Sequence, residues 1–204
     1  MKHASLIAKV VLEELASQAL PDWNQFDSAV RVRCLSAGDC LFRLDEQHPY
    51  VYFVREGIIR MVYETDDGKA WVKEFAEEGK FFASLVALIP PGRTSFAAHA
   101  VCDAVVEQIP YGVLLELADA HPVWQSVLRR AFEIYGFRKE TREKELLMLS
   151  AEERYTRFIQ ARQMVAARLT DKDIAGYIRV TPVALSRIKS RVRKAADPAA
   201  LQKE

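Results

Sequence analysis

Thr170-Asp171-Lys172-Asp173-Ile174-Ala175-Gly176-Tyr177-Ile178-Arg179-Val180-Thr181-Pro182-Val183-Ala184-Leu185-Ser186-Arg187-Ile188-Lys189-Ser190-Arg191-Val192-Arg193-Lys194 holds two helix starts eleven residues apart. Thr170 with Asp173 three residues on is a capping box: the hydroxyl accepts from the third helical amide and the carboxylate reaches back to the cap. Thr181-Pro182 places an N-cap before a proline at the first helical position, where a missing N–H costs nothing. Eleven residues hold about two helical turns and a short connecting turn, the helix-turn-helix layout. The apolar positions agree with it. Ile174 and Ile178 are four apart, Ala175 is small where two helices cross, and Val180 sits in the turn. Leu185, Ile188 and Val192 give the second helix one apolar stripe. Its opposite face carries Val183, Ser186, Arg187, Ser190, Arg191 and Lys194. The first turns of such a helix meet base edges, and arginine suits guanine or phosphate. Arg187 is therefore the leading base-reading candidate. Thr181, Ser186, Lys189 and Arg193 are expected to hold phosphates, and Val183, Ser190 and Arg191 complete the candidate set.

Upstream, Ser150-Ala151-Glu152-Glu153 is a further capping box. Residues 150–204 carry twelve Lys and Arg against six Asp and Glu, a net +6, while the remainder carries seventeen against twenty-two, a net −5. A basic end on an acidic body suits a polyanionic partner. A solubilising tail would share the charge but not the caps and the core stripe. No β-hairpin wing is expected after the second helix, and Ala195 to Glu204 reads as a frayed tail.

Before Ser150 the apolar period is helical. Val113 to Ala120 predicts a short helix, and His121-Pro122 opens a long one with Val123, Trp124, Val127, Leu128, Ala131, Ile134 and Tyr135 apolar. Leu146 to Leu149 lie further on, past the almost wholly charged Arg138 to Glu145. A helix of this length packs either on a second copy of itself or on its own barrel; the first is the simpler arrangement. From Val30 to Ile109 the period is two. Strands are expected at Val30–Leu35, Tyr50–Val54, Ile58–Tyr63, Ala70–Phe75, Ala97–Val101 and Ala104–Ile109. Turns fall at Glu56-Gly57, Asp66-Asp67-Gly68 and Glu78-Gly79. Short strands with such regular turns predict an antiparallel barrel or sandwich. Ser5 to Ala19 predicts a leading helix closed by Pro21.

Half of the residues are hydrophobic and 28% are charged, as in soluble globular proteins. No apolar run reaches a membrane-span length and no signal peptide is read. Cys34, Cys40 and Cys102 are odd in number and irregular in spacing, which suggests a reducing, cytoplasmic compartment rather than a disulfide framework. A cupin-like metalloenzyme would need His-x-His, which does not occur, and neither a catalytic triad nor a phosphate loop is present.

Leu149-Ser150-Ala151-Glu152-Glu153-Arg154-Tyr155, together with Ile174 to Ile178, Thr181-Pro182 and Leu185-Ser186-Arg187-Ile188, resembles the Crp/Fnr family of catabolite-activator-like regulators. The resemblance runs from about Leu35 to Lys194. It implies an α+β chain: an N-terminal double-stranded β-helix (jelly-roll) barrel, a long dimerisation helix and a C-terminal helix-turn-helix. Two positions depart from the family. Arg179 replaces the usual glycine of the inter-helix turn, so a positive φ there would be strained. Val183 replaces a common glutamate. In cyclic-nucleotide-binding members a Gly-Glu pair holds the ribose and an Arg-Ser or Arg-Thr pair holds the phosphate. This chain has Ala83-Ser84 and Arg93-Thr94, so only the arginine half is kept. These four residues are the candidate effector pocket, with a plain loop after Pro90-Pro91-Gly92 as the alternative for Arg93-Thr94. Cyclic AMP is not the expected effector. An iron–sulfur cluster would need about four thiolates. Haem would need an axial ligand from His48, His99 or His121, each more simply a structural or surface residue. No cofactor is expected.

The expected division is 1–112 for the leading helix and sensing barrel, 113–149 for the short helix and long dimerisation helix, and 150–204 for the DNA-binding domain. The expected function is a non-enzymatic transcription regulator, dimeric on palindromic double-stranded DNA, with RNA polymerase and an unidentified small effector as further partners. The alternatives are a ligand-binding or protein-interaction module and, after that, the cupin-like enzyme.

Overall fold

Tyr50-Val51-Tyr52-Phe53-Val54 alternates between two interiors, and that alternation organises the N-terminal part of the computed structural model, which describes residues 6–64 and 70–195. Tyr52 and Val54 point into a core shared with Leu35, Phe42, Ile59, Phe96, Ala104 and Val106. Phe53 points the other way, into a second core with Ile109 and the helices. Successive side chains of a strand face opposite sides of a sheet, so one strand serves both.

The strands are β1 (Arg31–Leu35), β2 (Cys40–Phe42), β3 (Tyr50–Glu56), β4 (Ile58–Glu64), β5 (Ala70–Glu77), β6 (Phe81–Phe82), β7 (Ala97–Ala100) and β8 (Ala104–Pro110). They form two four-stranded sheets, ordered β1-β8-β3-β6 and β2-β7-β4-β5. Tyr52 pairs with Gln108 across β3 and β8, and Met61 with Ala98 across β4 and β7. The antiparallel barrel or sandwich expected from period and turn spacing is therefore present, in the two-sheet jelly-roll form that the resemblance implies. The Glu56-Gly57 turn is tight for a definite reason. Gly57 has φ +89°, and a Cβ there would come within 2.6 Å of Ala104 and of the Asp103 carbonyl, so only glycine is tolerated. The turn expected at Asp66-Asp67-Gly68 lies outside the described residues.

The outer face of the β1-β8-β3-β6 sheet is covered by α1 (Ile7–Ala16), α2 (Trp23–Ala29), α4 (Tyr111–Ala120) and the first turns of α5 (Pro122–Met148). Trp23, Phe26 and Trp124 stack there, and the Trp124 indole N–H donates to the Pro21 carbonyl at 3.0 Å. Glu107 on β8 is fully buried, and its two carboxylate oxygens accept from the amides of Ile7 and Ala8 at 2.9 and 2.8 Å. A strand side chain thus caps α1, whose own N-cap residue, Leu6, offers no side-chain bond. The leading helix ends at Ala16 rather than Ala19, because Ser17 is left-handed. The short α3 (Leu85–Leu88) precedes Pro90.

The C-terminal helices are α6 (Ala151–Ala161), α7 (Gln163–Ala166), α8 (Asp171–Ile178) and α9 (Pro182–Ala195). The chain divides into two compact units, one of Met1–Lys69 with Lys73–Phe137 and one of Ala70–Val72 with Arg138–Glu204. Among the described residues no helix is long and apolar enough to cross a membrane; past Ala195, the tail expected as far as Glu204 and the expected lack of a wing lie outside the described residues.

Candidate nucleic-acid interface

Three helices of the C-terminal unit, α6, α8 and α9, start on the residues that the sequence marks, while α7 starts after Arg162 without a side-chain cap and without a mark in the sequence. Glu153 N–H donates to Ser150 Oγ at 3.3 Å, and Ser150 N–H to Glu153 Oε2 at 2.7 Å. The bonds from Ser150 hold the Glu153 carboxyl below its ordinary range. The Thr170–Asp173 box is closed in the same way at 3.2 Å in both directions, and the Thr170 hydroxyl adds a 2.6 Å bond to Asp173. Asp173 is buried; its side chain is shorter than the usual glutamate, and the added bond draws it against the cap. Thr181 Oγ1 accepts from the Ala184 amide at 3.2 Å and so fixes the first turn of α9.

Between α8 and α9 the chain turns on Arg179, at φ 63° and ψ 49°. The Arg179 and Val180 amides both donate back to the Ala175 carbonyl. This is the left-handed helix ending usually assigned to glycine. The Arg179 guanidinium lies 4.6 Å from the centre of the Trp71 ring, a residue of the same compact unit. The last carbonyls of α8 are met by two arginines. Arg154 Nε donates to the Ile178 carbonyl at 3.0 Å and its Nη1 to the Leu149 carbonyl at 2.5 Å. Arg142 donates to the Tyr177 carbonyl and stacks 3.8 Å over the Tyr177 ring. Cations at a helix C-terminus satisfy orphan carbonyls and complement the dipole. Burial, then the nearby charges of Arg142 and Arg179, lower the Arg154 pKa.

Beneath this, Phe158, Val165, Ile174, Ala175, Ile178, Leu185 and Ile188 are buried, and Phe158 meets Tyr177 at 4.8 Å between ring centres. The expected core positions Ile174, Ala175, Ile178, Leu185 and Ile188 are all in place, while Val180 and Val192 are half-buried.

That packing leaves a definite face of α9 outward. Thr181, Val183, Ser186, Arg187, Ser190, Arg191 and Arg193 are exposed and Lys189 is half-buried. They are not chemically equivalent. Lys189 Nζ is bound to both carboxylate oxygens of Asp171, at 2.8 and 3.0 Å, which raises its pKa. Arg191 Nε is bound to Glu152 at 2.7 Å. The Ser190 hydroxyl donates to the Ser186 carbonyl at 3.0 Å. Arg187 and Arg193 make no ion pair among the described residues. These internal bonds, from Asp171 and Glu152 on other helices, had no signature in the sequence.

The four residues expected to line an effector pocket are placed differently from one another. Ala83, Ser84 and Thr94 are buried and Arg93 is exposed. Ser84 Oγ accepts from the Ser95 amide at 3.1 Å. The Thr94 hydroxyl donates to the Arg43 carbonyl at 2.5 Å and accepts from the Glu46 amide at 2.9 Å. Arg93 Nε donates to the carbonyl and side chain of Asp45, at 2.7 and 2.8 Å. Among the histidines, His48 bonds Tyr52 and stacks on its ring in the barrel, with Phe42 and Tyr50 beside it. His121 bonds Asp22 at 2.6 Å, and His99 lies 3.9 Å from Glu64. Burial holds His48 and His99 below the ordinary imidazole value. Among the described residues no three His, Cys, Asp or Glu side chains are grouped to hold a metal.

Residues 32–121, from β1 to just past α4, match the family of cyclic nucleotide-binding domains. A search of curated proteins found no match. Among solved structures, FixK2 from Bradyrhizobium japonicum is 21% identical with TM-score 0.70, over 82% of this chain and 86% of that one. CLP, a c-di-GMP-responsive global regulator that links cell–cell signalling to virulence gene expression in Xanthomonas campestris, is 14% identical with TM-score 0.69, over 85% and 91%. A doubly substituted mutant of CooA from Carboxydothermus hydrogenoformans is 16% identical with TM-score 0.68, over 91% and 84%. The chain therefore joins a domain of the cyclic nucleotide-binding family, residues 32–121, to a C-terminal helical part, and has the fold of the Crp/Fnr-type regulators that its sequence resembles.

Proposed function

We propose that this protein is a non-enzymatic transcription regulator that binds DNA as a dimer, with α9 as the recognition helix. The observation that carries this reading is the outward face of α9: a helix start fixed by Thr181, followed within two turns by exposed Val183, Ser186 and Arg187. The first turns of a recognition helix are the ones that reach base edges in the major groove. Arg187 can pair with guanine. Thr181, Ser186 and Arg193 are placed to meet phosphates, as are Lys189 and Arg191 once their carboxylate partners are displaced.

The dimer is assigned to α5. Its first turns are buried on the N-terminal unit through Trp124 and Val127, but Phe132, Phe137, Leu147 and Met148 are exposed. Large apolar residues repeated along one long helix call for a partner, and a second copy gives a closed twofold pair. Two recognition helices would then read half-sites about one DNA turn apart. The working division of labour follows the expected boundaries: residues 1–112 sense, 113–149 dimerise and 150–204 bind DNA, with RNA polymerase the further partner at an activated promoter.

The residues present do not fit a cyclic nucleotide. The Ser84 hydroxyl already accepts from the Ser95 amide, is buried and carries no charge for a ribose. Arg93 is turned to Asp45. An effector of this barrel would be of a different chemistry.

Selection from a random duplex pool, run at several salt concentrations with Arg187→Ala beside the native protein, tests the reading. The expected result is an enriched palindrome with steep salt dependence, relaxed at one position per half-site in the variant. No enrichment and a flat salt response would overturn it.

A further inference from the structure

Val183 is out of keeping with its surroundings on α9. It is apolar and 66% exposed, between the exposed Pro182 and the half-buried Ala184. The buried stripe of the helix does not use it: Leu185 and Ile188 fill that role at 0% and 3% exposure. Val183 precedes Leu185 by two residues, about 200° around the helix, and precedes Arg187 by four, on the same side. Helix propensity does not favour it either, since a β-branched side chain loses rotamer freedom in a helix. Its backbone position is set, because the Thr181 cap holds the first turn through the Ala184 amide.

We propose that Val183 is a specificity-determining residue that packs against the 5-methyl group of a thymine in the major groove, next to the base met by Arg187. The inference rests on the DNA-reading function above and names one letter of the sequence read. Thymine is the base that presents a methyl group in that groove, whereas adenine and cytosine present amino donors and guanine two acceptors. A valine offers no hydrogen bond. Against cytosine it would strip water from the amino group and return nothing, and against thymine it buries methyl on methyl. Three polar neighbours on this face are already engaged: the Ser190 hydroxyl is turned to the Ser186 carbonyl, and Lys189 and Arg191 hold Asp171 and Glu152.

The test uses the full chain and its selected palindrome. Each thymine of a half-site is replaced in turn by deoxyuridine, which removes only the methyl group. At one position, beside the base whose preference Arg187→Ala relaxes, binding should weaken about four-fold per half-site, the effect of one methyl group left unburied. Val183→Ala should bind the thymine and deoxyuridine duplexes equally and lose preference at that position alone. Val183→Thr, which keeps a methyl group, should retain part of it. An enriched palindrome in which no deoxyuridine weakens native binding, or in which Val183→Ala selects the native sequence, overturns the inference and leaves the DNA-reading function standing. A native protein that enriches no sequence overturns both.

Discussion

Arg179 and Glu107 show what single residues contribute to this molecule. Arg179 ends α8 in the left-handed region, which costs a residue with a Cβ about 1–2 kcal/mol. Its guanidinium offsets part of that cost against the Trp71 ring. Arg179→Gly should therefore stabilise the C-terminal unit by about 1 kcal/mol, seen as a higher midpoint in denaturant; an unchanged or lower midpoint would mean that the ring contact outweighs the strain. Glu107 is the opposite case, a buried carboxylate that accepts two amides at the start of α1. Glu107→Gln keeps the shape and one acceptor but sets an NH2 donor against the other backbone amide, and should cost about 2–3 kcal/mol. Loss of amide protection confined to α1 in hydrogen exchange would place that cost. The strain at Arg179 was foreseeable from the sequence, because an arginine stands where a turn wants glycine. The role of Glu107 was not, since its partners lie about a hundred residues away and nothing local marks them.

At the level of elements, what was legible depended on length and caps. The six longer strands carried enough alternation to be read, and α6, α8 and α9 carried caps that the structure reproduces atom for atom. Strand β2 has three residues and β6 has two, too few to show a period. Helix α2, Trp23-Asn24-Gln25-Phe26-Asp27-Ser28-Ala29, is rich in residues that compete with helical hydrogen bonds, and it starts from a left-handed Asp22. Its stability comes from Phe26 and Trp23 stacked with Trp124, a tertiary cause. The α9 face was readable as a face, yet which of its cations are already paired was not, because Asp171 and Glu152 reach it from α8 and α6. The clasp on the C-terminus of α8 is likewise tertiary. Arg154→Met keeps much of the apolar stem and removes the donors to Ile178 and Leu149. It should lower the stability of the C-terminal unit by about 1.5–3 kcal/mol, measured by denaturant unfolding followed through that unit. A change below about 0.5 kcal/mol would show that water replaces the guanidinium.

Across the whole molecule, charge ties stability and binding to the solution. His48 and His99 are held below the ordinary imidazole value of 6.5 by burial, and His99 also by Arg60. Their folded forms resist protonation while the unfolded chain takes up protons near 6.5. Their effect on stability is therefore absent above that pH and becomes a loss as the pH falls through about 6.5 toward the folded values. The midpoint of unfolding should drop between about pH 7.5 and 5.5, and His48→Gln should flatten the drop; an equal drop in the variant would assign it elsewhere. The pairs Lys189–Asp171 and Arg191–Glu152 have a consequence of another kind. Each carboxylate is a built-in counterion, fixed to the protein rather than drawn from the salt. In the proposed complex a cation that stays paired neutralises no phosphate and displaces none of the ions condensed on the DNA, so the entropy of ion release that drives binding is correspondingly smaller. In the dimer proposed above, with two such pairs on each α9, the log–log salt slope should be shallower by roughly 3 to 4 than the number of its cations suggests. Asp171→Asn with Glu152→Gln should steepen it. With both pairs intact, the proposed complex would hold across a wider range of ionic strength than one made by a uniformly basic helix.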